Sequence, residues 1–195
     1  MAVTTGTPST TDSTKTSPSQ ATVPAPVVRM AALTVREGED RQDVDDSEKL
    51  RDALDAALGK DDDCFDLLDP DAPYTPLEVV RLTEDKLLVS HRCWFAAYNA
   101  GHGYWVIDDE PPWNPVVVTT SGTDYADGTI TAAHKSRGLG DCWSEDTWSW
   151  NGARFVPTGS SSTGMCRLVA PGGAWPLPTL VVDVEHPESS PRQVP

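Results

Sequence analysis

Four histidines, four cysteines, seven tryptophans and a surplus of carboxylates are the side chains in this sequence with chemistry to offer. The histidines are His91, His102, His134 and His186. No HExxH or other paired spacing joins them, so a metal site would need ligands distant in sequence, and neither a metal nor a cofactor is expected. His134 precedes Asp141 in a serine-bearing region, the pair a hydrolase would use as base and orienting acid. The GxSxG elbow is absent, and a triad is recognised by geometry rather than by order along the chain. Asp61-Asp62-Asp63 lacks the alternating Asp-x-Asp-x-Asp-Gly of a calcium loop and reads as a solvated acidic flank. Gly101 and Gly103 bracket His102, but the third glycine of a phosphate-binding turn is missing and no helix opens after them.

The cysteines carry more information. Cys64, Cys93, Cys142 and Cys166 are separated by 28, 48 and 23 residues, with no CxxC pair, which excludes zinc-ribbon and thioredoxin-type spacing. An even number at wide spacing in a strand-rich chain implies two structural disulfides and an oxidising compartment. Four cysteines permit three pairings; proximity along the chain favours Cys64–Cys93 and Cys142–Cys166. Paired thiols are not nucleophiles.

Among the tryptophans, Trp94, Trp105, Trp148 and Trp150 fall on strand patterns and are expected in the core. Trp113, Trp143 and Trp175 fall in loops or at strand ends beside Asp, Asn, Gly or Pro. Exposed there, they would stack on a sugar ring or anchor a protein partner. The candidate binding residues are therefore His102, Trp113, Asp141, Trp143 and Trp175. Three surfaces carry most of them: the Gly101-His102-Gly103 turn, residues 108–115 and residues 137–143.

With 30 acidic against 15 basic residues, a net charge of −15, the chain lacks the cationic surface that nucleic acid or anionic lipid requires. No apolar run reaches the roughly 20 residues of a membrane span. The first residues, MAVTTGTPSTTDSTKTSPSQ, have neither the basic nor the apolar region of a signal peptide, which taken alone would place the chain in the cytoplasm. The cysteines point instead to a periplasmic or secreted protein.

The elements that must hold these residues follow from pattern. Residues 1–28 are Thr, Ser, Pro and Ala and are expected to be a disordered leader, with a single domain over 29–184 and a disordered tail over 185–195. Residues 30–36 read as a short strand or lead-in. One helix is expected near residues 46–58, with Asp45 as N-cap, Glu48 reaching back, and an apolar stripe at Leu50, Ala53, Leu54, Ala57 and Leu58. Half of the acidic residues lie between Glu37 and Asp71, around this helix. Strands are expected at 77–82, 86–95, 116–120, 129–134, 142–150, 154–158, 163–169 and 179–184, with 97–107 a turn followed by a strand and 121–128 a loop. The strand at 86–95 should be buried on both faces at its ends. Asn151-Gly152 is the strongest hairpin signal, and Trp148 and Trp150 should share a face. The fold class is mostly β, an antiparallel sandwich or small sheet assembly, with one helix and two disulfides.

The segments NAGHGYWVID (99–108), GTITAAHKSRGLGDCWSEDTWSWNG (128–152), STGMCR (162–167) and GGAWPLPTLV (172–181) together resemble the C-terminal part of a bacterial family, domain of unknown function 1176. The resemblance covers roughly residues 25 to 185. It implies a cysteine-rich exported protein, typically with six cysteines and a secretion signal. This chain departs from that pattern with four cysteines and no signal, as expected of an internal start within a longer exported protein. The family brings no catalytic residues. The expected function is non-enzymatic: an exported envelope protein that binds a protein or a glycan.

Overall fold

The computed structural model describes residues 24–33 and 47–187. In chain order the elements are β1 (Val27–Arg29), α1 (Glu48–Ala56), β2 (Glu78–Arg81), β3 (Lys86–Phe95), β4 (Ala100–Asp108), β5 (Val116–Gly122) and β6 (Asp124–Ala126). They continue with β7 (Thr129–Lys135), β8 (Trp143–Trp150), β9 (Phe155–Ser162), β10 (Leu177–Val181) and β11 (Asp183–Glu185). Two antiparallel sheets result, one ordered β2-β3-β4-β5 and the other β10-β9-β8-β7-β6. β1 and β11 form a separate parallel pair. The mostly β class with one helix and two disulfides is the observed one.

The four-stranded sheet is packed from both sides. Side chains alternate across a strand, so neighbouring residues serve opposite faces. On β3 and β4, Leu87, Val89, Cys93, Trp105 and Ile107 join Leu50 and Leu54 of the helix in one core. Their neighbours Leu88, Tyr104 and Val106 join Ile130, Trp150 and Phe155 of the second sheet in another. Helix, sheet and sheet form three layers around these two cores. Each fully buried leucine contributes about 1.5–3 kcal/mol relative to exposure. Trp148 packs beside Trp150 against the second core, as their shared face requires.

The helix begins at a different cap from the one expected. Asp45 lies outside the described residues, and Ser47 is the N-cap, its Oγ accepting from the Leu50 N–H at 3.3 Å. Glu48 then sits in the first turn, where a carboxylate is favoured by the helix dipole. Arg51, on the same helix, donates to the Leu67 carbonyl at 3.2 Å and the Thr75 carbonyl at 2.8 Å, tying the segment after the helix down.

Three local readings change. Gly101-His102-Gly103 is no turn but the interior of β4. The glycines are there because indoles lie flat on them: an added Cβ would stand 2.2 Å from the Trp94 ring at Gly101 and 2.1 Å from the Trp105 ring at Gly103. Residues 163–169 form a loop, not a strand, because Gly164 (φ 72°) and Leu168 (φ 57°) leave the extended region. Residues 121–128 complete β5 and make β6, which turns into β7 through Asp127 (φ 45°) and Gly128 (φ 79°), the two left-handed residues of a tight hairpin. Asn151-Gly152 does link β8 to β9. There the Asn151 Oδ1 accepts from the N–H groups of Ala153 and Arg154, at 3.0 and 2.9 Å, spreading the turn over four residues.

Both disulfides join the expected partners. Cys64–Cys93 closes 29 residues and binds the segment after the helix to β3; Cys142–Cys166 closes 24 and binds the 163–176 loop to the start of β8. Bonds of this kind point to a non-cytoplasmic protein. No helix among the described residues is long and apolar enough to cross a membrane. The expected leader and tail lie mostly outside the described residues; within them, Val27–Arg29 pairs with Asp183–Glu185.

Replacing Cys64 and Cys93 together by serine should lower unfolding free energy by about 3–4 kcal/mol, the chain-entropy value for a loop of this length. Urea unfolding of the double variant against the parent measures it. A loss under about 1 kcal/mol would mean the helix layer is held by packing alone.

Candidate functional site

The register of the four-stranded sheet builds a polar notch into an otherwise apolar face. Glu78 on β2 stands opposite Ser90 on β3, and Ser90 opposite Tyr104 on β4. The next row on the same face is Val80, Leu88 and Val106, which is apolar. Directly opposite side chains in antiparallel strands lie about 4.5–5.5 Å apart at their Cβ atoms, so the polar row is continuous. His102 precedes Tyr104 on the same face of β4. The short edge strand β6 of the second sheet, with Asp124 and Tyr125, forms the far wall. Together these enclose a cleft of about 240 Å³.

Tyr104 is the centre of this cleft. It is 6% exposed, and its ring lies against Gly122, where an added Cβ would stand 2.3 Å away. The glycine on β5 therefore seats the ring, and the hydroxyl is left at the cleft. That hydroxyl makes no hydrogen bond to a described residue and stays within reach of solvent in the cleft. Burial, with the Asp124 and Glu78 carboxylates, pushes the phenol up to about 12, so it remains a neutral hydroxyl throughout the physiological range. Burial likewise pushes Tyr125 up to about 12. A hydroxyl open to a walled cleft can exchange its water for a ligand group.

The other expected binding residues are dispersed. Trp143 is half-buried, its Nε1 donating to the Gly140 carbonyl at 2.9 Å and its ring facing Lys135 at 5.4 Å. It lines a separate cavity of about 330 Å³ with Glu145, Ser161 and Thr163. Trp113 is not a free surface ring: it packs against the helix-side core, and its N–H and carbonyl serve Glu110 and Asp108. Trp175 is exposed, at 71%, beside the exposed Met165, Leu168 and Val169 of the same loop. A larger cavity, about 530 Å³, runs along β5 between Val116, Val118, Trp148 and Phe155. Its walls are mostly apolar, with Lys86, Asn114 and Arg154 also in the lining, and it contains none of the five candidates.

The His134–Asp141 pair is not assembled. His134 Nε2 meets the Ser121 carbonyl at 2.7 Å, and its ring stacks near Trp94 at 5.4 Å between centroids. Asp141 is buried and committed elsewhere, receiving Arg137 Nε at 2.8 Å, a second Arg137 nitrogen at 2.5 Å and the Leu168 N–H at 2.7 Å. Asp141, Cys142 and Cys166 do lie close enough to suggest a metal group. Both sulfurs are in the disulfide and the carboxylate is ion-paired, so these atoms form a structural clamp.

These features, a two-sheet core, two local disulfides and a polar cleft, coincide with a family match over most of the chain. The chain belongs to the DUF1176 family. Its model, described as a protein of unknown function, matches residues 5–182. No curated protein and no solved structure matches the chain. For this DUF1176 chain, the cleft around Tyr104 is the candidate site among the described residues: a buried tyrosine ring between two exposed carboxylates without ion-pair partners. Of the five expected residues only His102 belongs to it.

The clamp at Asp141 makes a pH prediction. Its carboxyl is held well below the usual carboxylate range, first by Arg137 and then by the Leu168 N–H, against an opposing effect of burial. A carboxyl depressed in the folded state adds stability above its unfolded value of about 4, and that stability is lost as pH falls through the folded value. Asp141→Asn should therefore be less stable than the parent at pH 6, and the gap should close below about pH 4. Urea midpoints of both chains across that range report it; a constant gap would show that the charge is not the source.

Proposed function

We propose that this protein is an exported envelope protein, periplasmic or secreted, that acts by binding a glycan in the cleft between its two sheets. The observation that carries this reading is the Tyr104 hydroxyl: neutral, without a hydrogen bond to any described residue, and opening on a cleft lined by two carboxylates. Carboxylates accept from pairs of sugar hydroxyls, a phenol both donates and accepts, and aromatic rings such as Tyr125 offer an apolar face to a sugar ring. The cleft suits one sugar residue of a chain rather than a protein surface. Two disulfides fit an oxidising compartment. A protein partner is the second reading, supported by the exposed Met165, Leu168, Val169 and Trp175 on one disulfide-held loop.

The test is calorimetric titration with a panel of bacterial envelope oligosaccharides. A bound sugar should lose about tenfold in affinity with Tyr104→Phe, the worth of one buried hydrogen bond, while the melting temperature stays the same or rises. Equal binding by Tyr104→Phe would remove the cleft as the site. Loss of binding in Trp175→Ala with Tyr104→Phe unaffected would move it to the loop.

A further inference from the structure

We infer that the group seated against Tyr104 is a protonated amine, so that the ligand is an amino sugar with a free ammonium rather than a neutral or acidic one. The inference deepens the glycan reading and rests on it. The cleft is lined by two carboxylates, Glu78 and Asp124, with no lysine or arginine among the lining residues. Both carboxylates are exposed, and neither has an ion-pair partner among the described residues, whereas the more enclosed Asp66 and Asp141 each have one. A cation entering the cleft therefore meets two carboxylates that no protein cation has claimed.

The remaining polar groups agree. An ammonium carries three donors and no acceptor, and it matches a site of acceptors. Glu78, Asp124, Ser90 and the lone pairs of the Tyr104 hydroxyl supply them. Because Tyr104 stays neutral, it adds a dipole without adding a proton equilibrium. An inorganic ion is the poorer fit. No three carboxylate or imidazole ligand atoms of the cleft converge, the one such group among the described residues being Asp141, Cys142 and Cys166. The net charge of −15 adds a long-range field that draws cations inward.

Three probes separate the possibilities by calorimetry on the full chain with its disulfides intact: a fully deacetylated glucosamine oligomer, its N-acetylated counterpart, and lysine amide as an amine without sugar. The deacetylated oligomer should bind at least about tenfold more tightly than the acetylated one. Glu78→Gln and Asp124→Asn should each cost it about tenfold, with unchanged circular dichroism and melting temperature showing that the fold is kept. Equal binding of the two oligomers, or binding undiminished in both variants, would overturn the ammonium inference and leave the glycan reading standing. Binding of lysine amide alone, lost in the same variants, would keep the ammonium and overturn the glycan reading. Binding by none of the three would overturn both.

Discussion

Burial of β3 and β4 from both sides is the constraint on which the rest of the molecule depends. Residues 87, 89 and 93 belong to the helix layer, and residue 88 to the second sheet. A slip of one position would exchange the two sets and turn Ser90 into the wrong core. The helix layer is locked to this register by covalent and polar means. Cys64–Cys93 fixes the segment after the helix to β3, and the Arg51 guanidinium reaches the carbonyls of Leu67 and Thr75. Gly101, Gly103 and Gly122 then allow Trp94, Trp105 and Tyr104 to lie flat on neighbouring backbone. The notch at Tyr104 is a product of this register: it is where the row crossing β2, β3 and β4 turns from valine and leucine to glutamate, serine and tyrosine.

Much of this was legible in the sequence, because much of it is local. Leu50 and Leu54 repeat at helical spacing, β3 carries apolar residues at successive positions, and each cysteine bonds its neighbour along the chain. What was not legible depends on contacts far away in sequence. Residues 163–169 look like a strand until left-handed Gly164 and Leu168 bend them around Cys166. Trp113 sits among acids and prolines, yet it is drawn onto the helix-side core. β6 is three residues long, too short for alternation to register, and it is the far wall of the cleft. His102 was visible as an isolated imidazole between glycines. Its companions were hidden, since Glu78, Ser90 and Tyr104 become neighbours only once three strands are in register.

The cleft also lies where two sheet edges meet. β2 ends the four-stranded sheet and β6 ends the five-stranded one, and each contributes a carboxylate. Charge on an edge strand discourages pairing with another chain. Glu78 and Asp124 therefore serve two ends with the same atoms: they protect exposed edges, and they polarise the space around Tyr104. The clamp at Asp141 follows the opposite logic, spending its charge on a guanidinium and a backbone N–H to hold a loop whose apolar residues face outward.

The pairing of β1 with β11 has a mechanical meaning. The two strands run parallel, with Val27 beside Asp183 and Arg29 beside Glu185, and backbone bonds from Asp183 to Pro26 and from Met30 to Glu185 at either end. Tension applied through the chain on both sides of the domain pulls Val27 backward and Glu185 forward. The strands are loaded in shear, and their hydrogen bonds must yield together rather than peel apart in sequence.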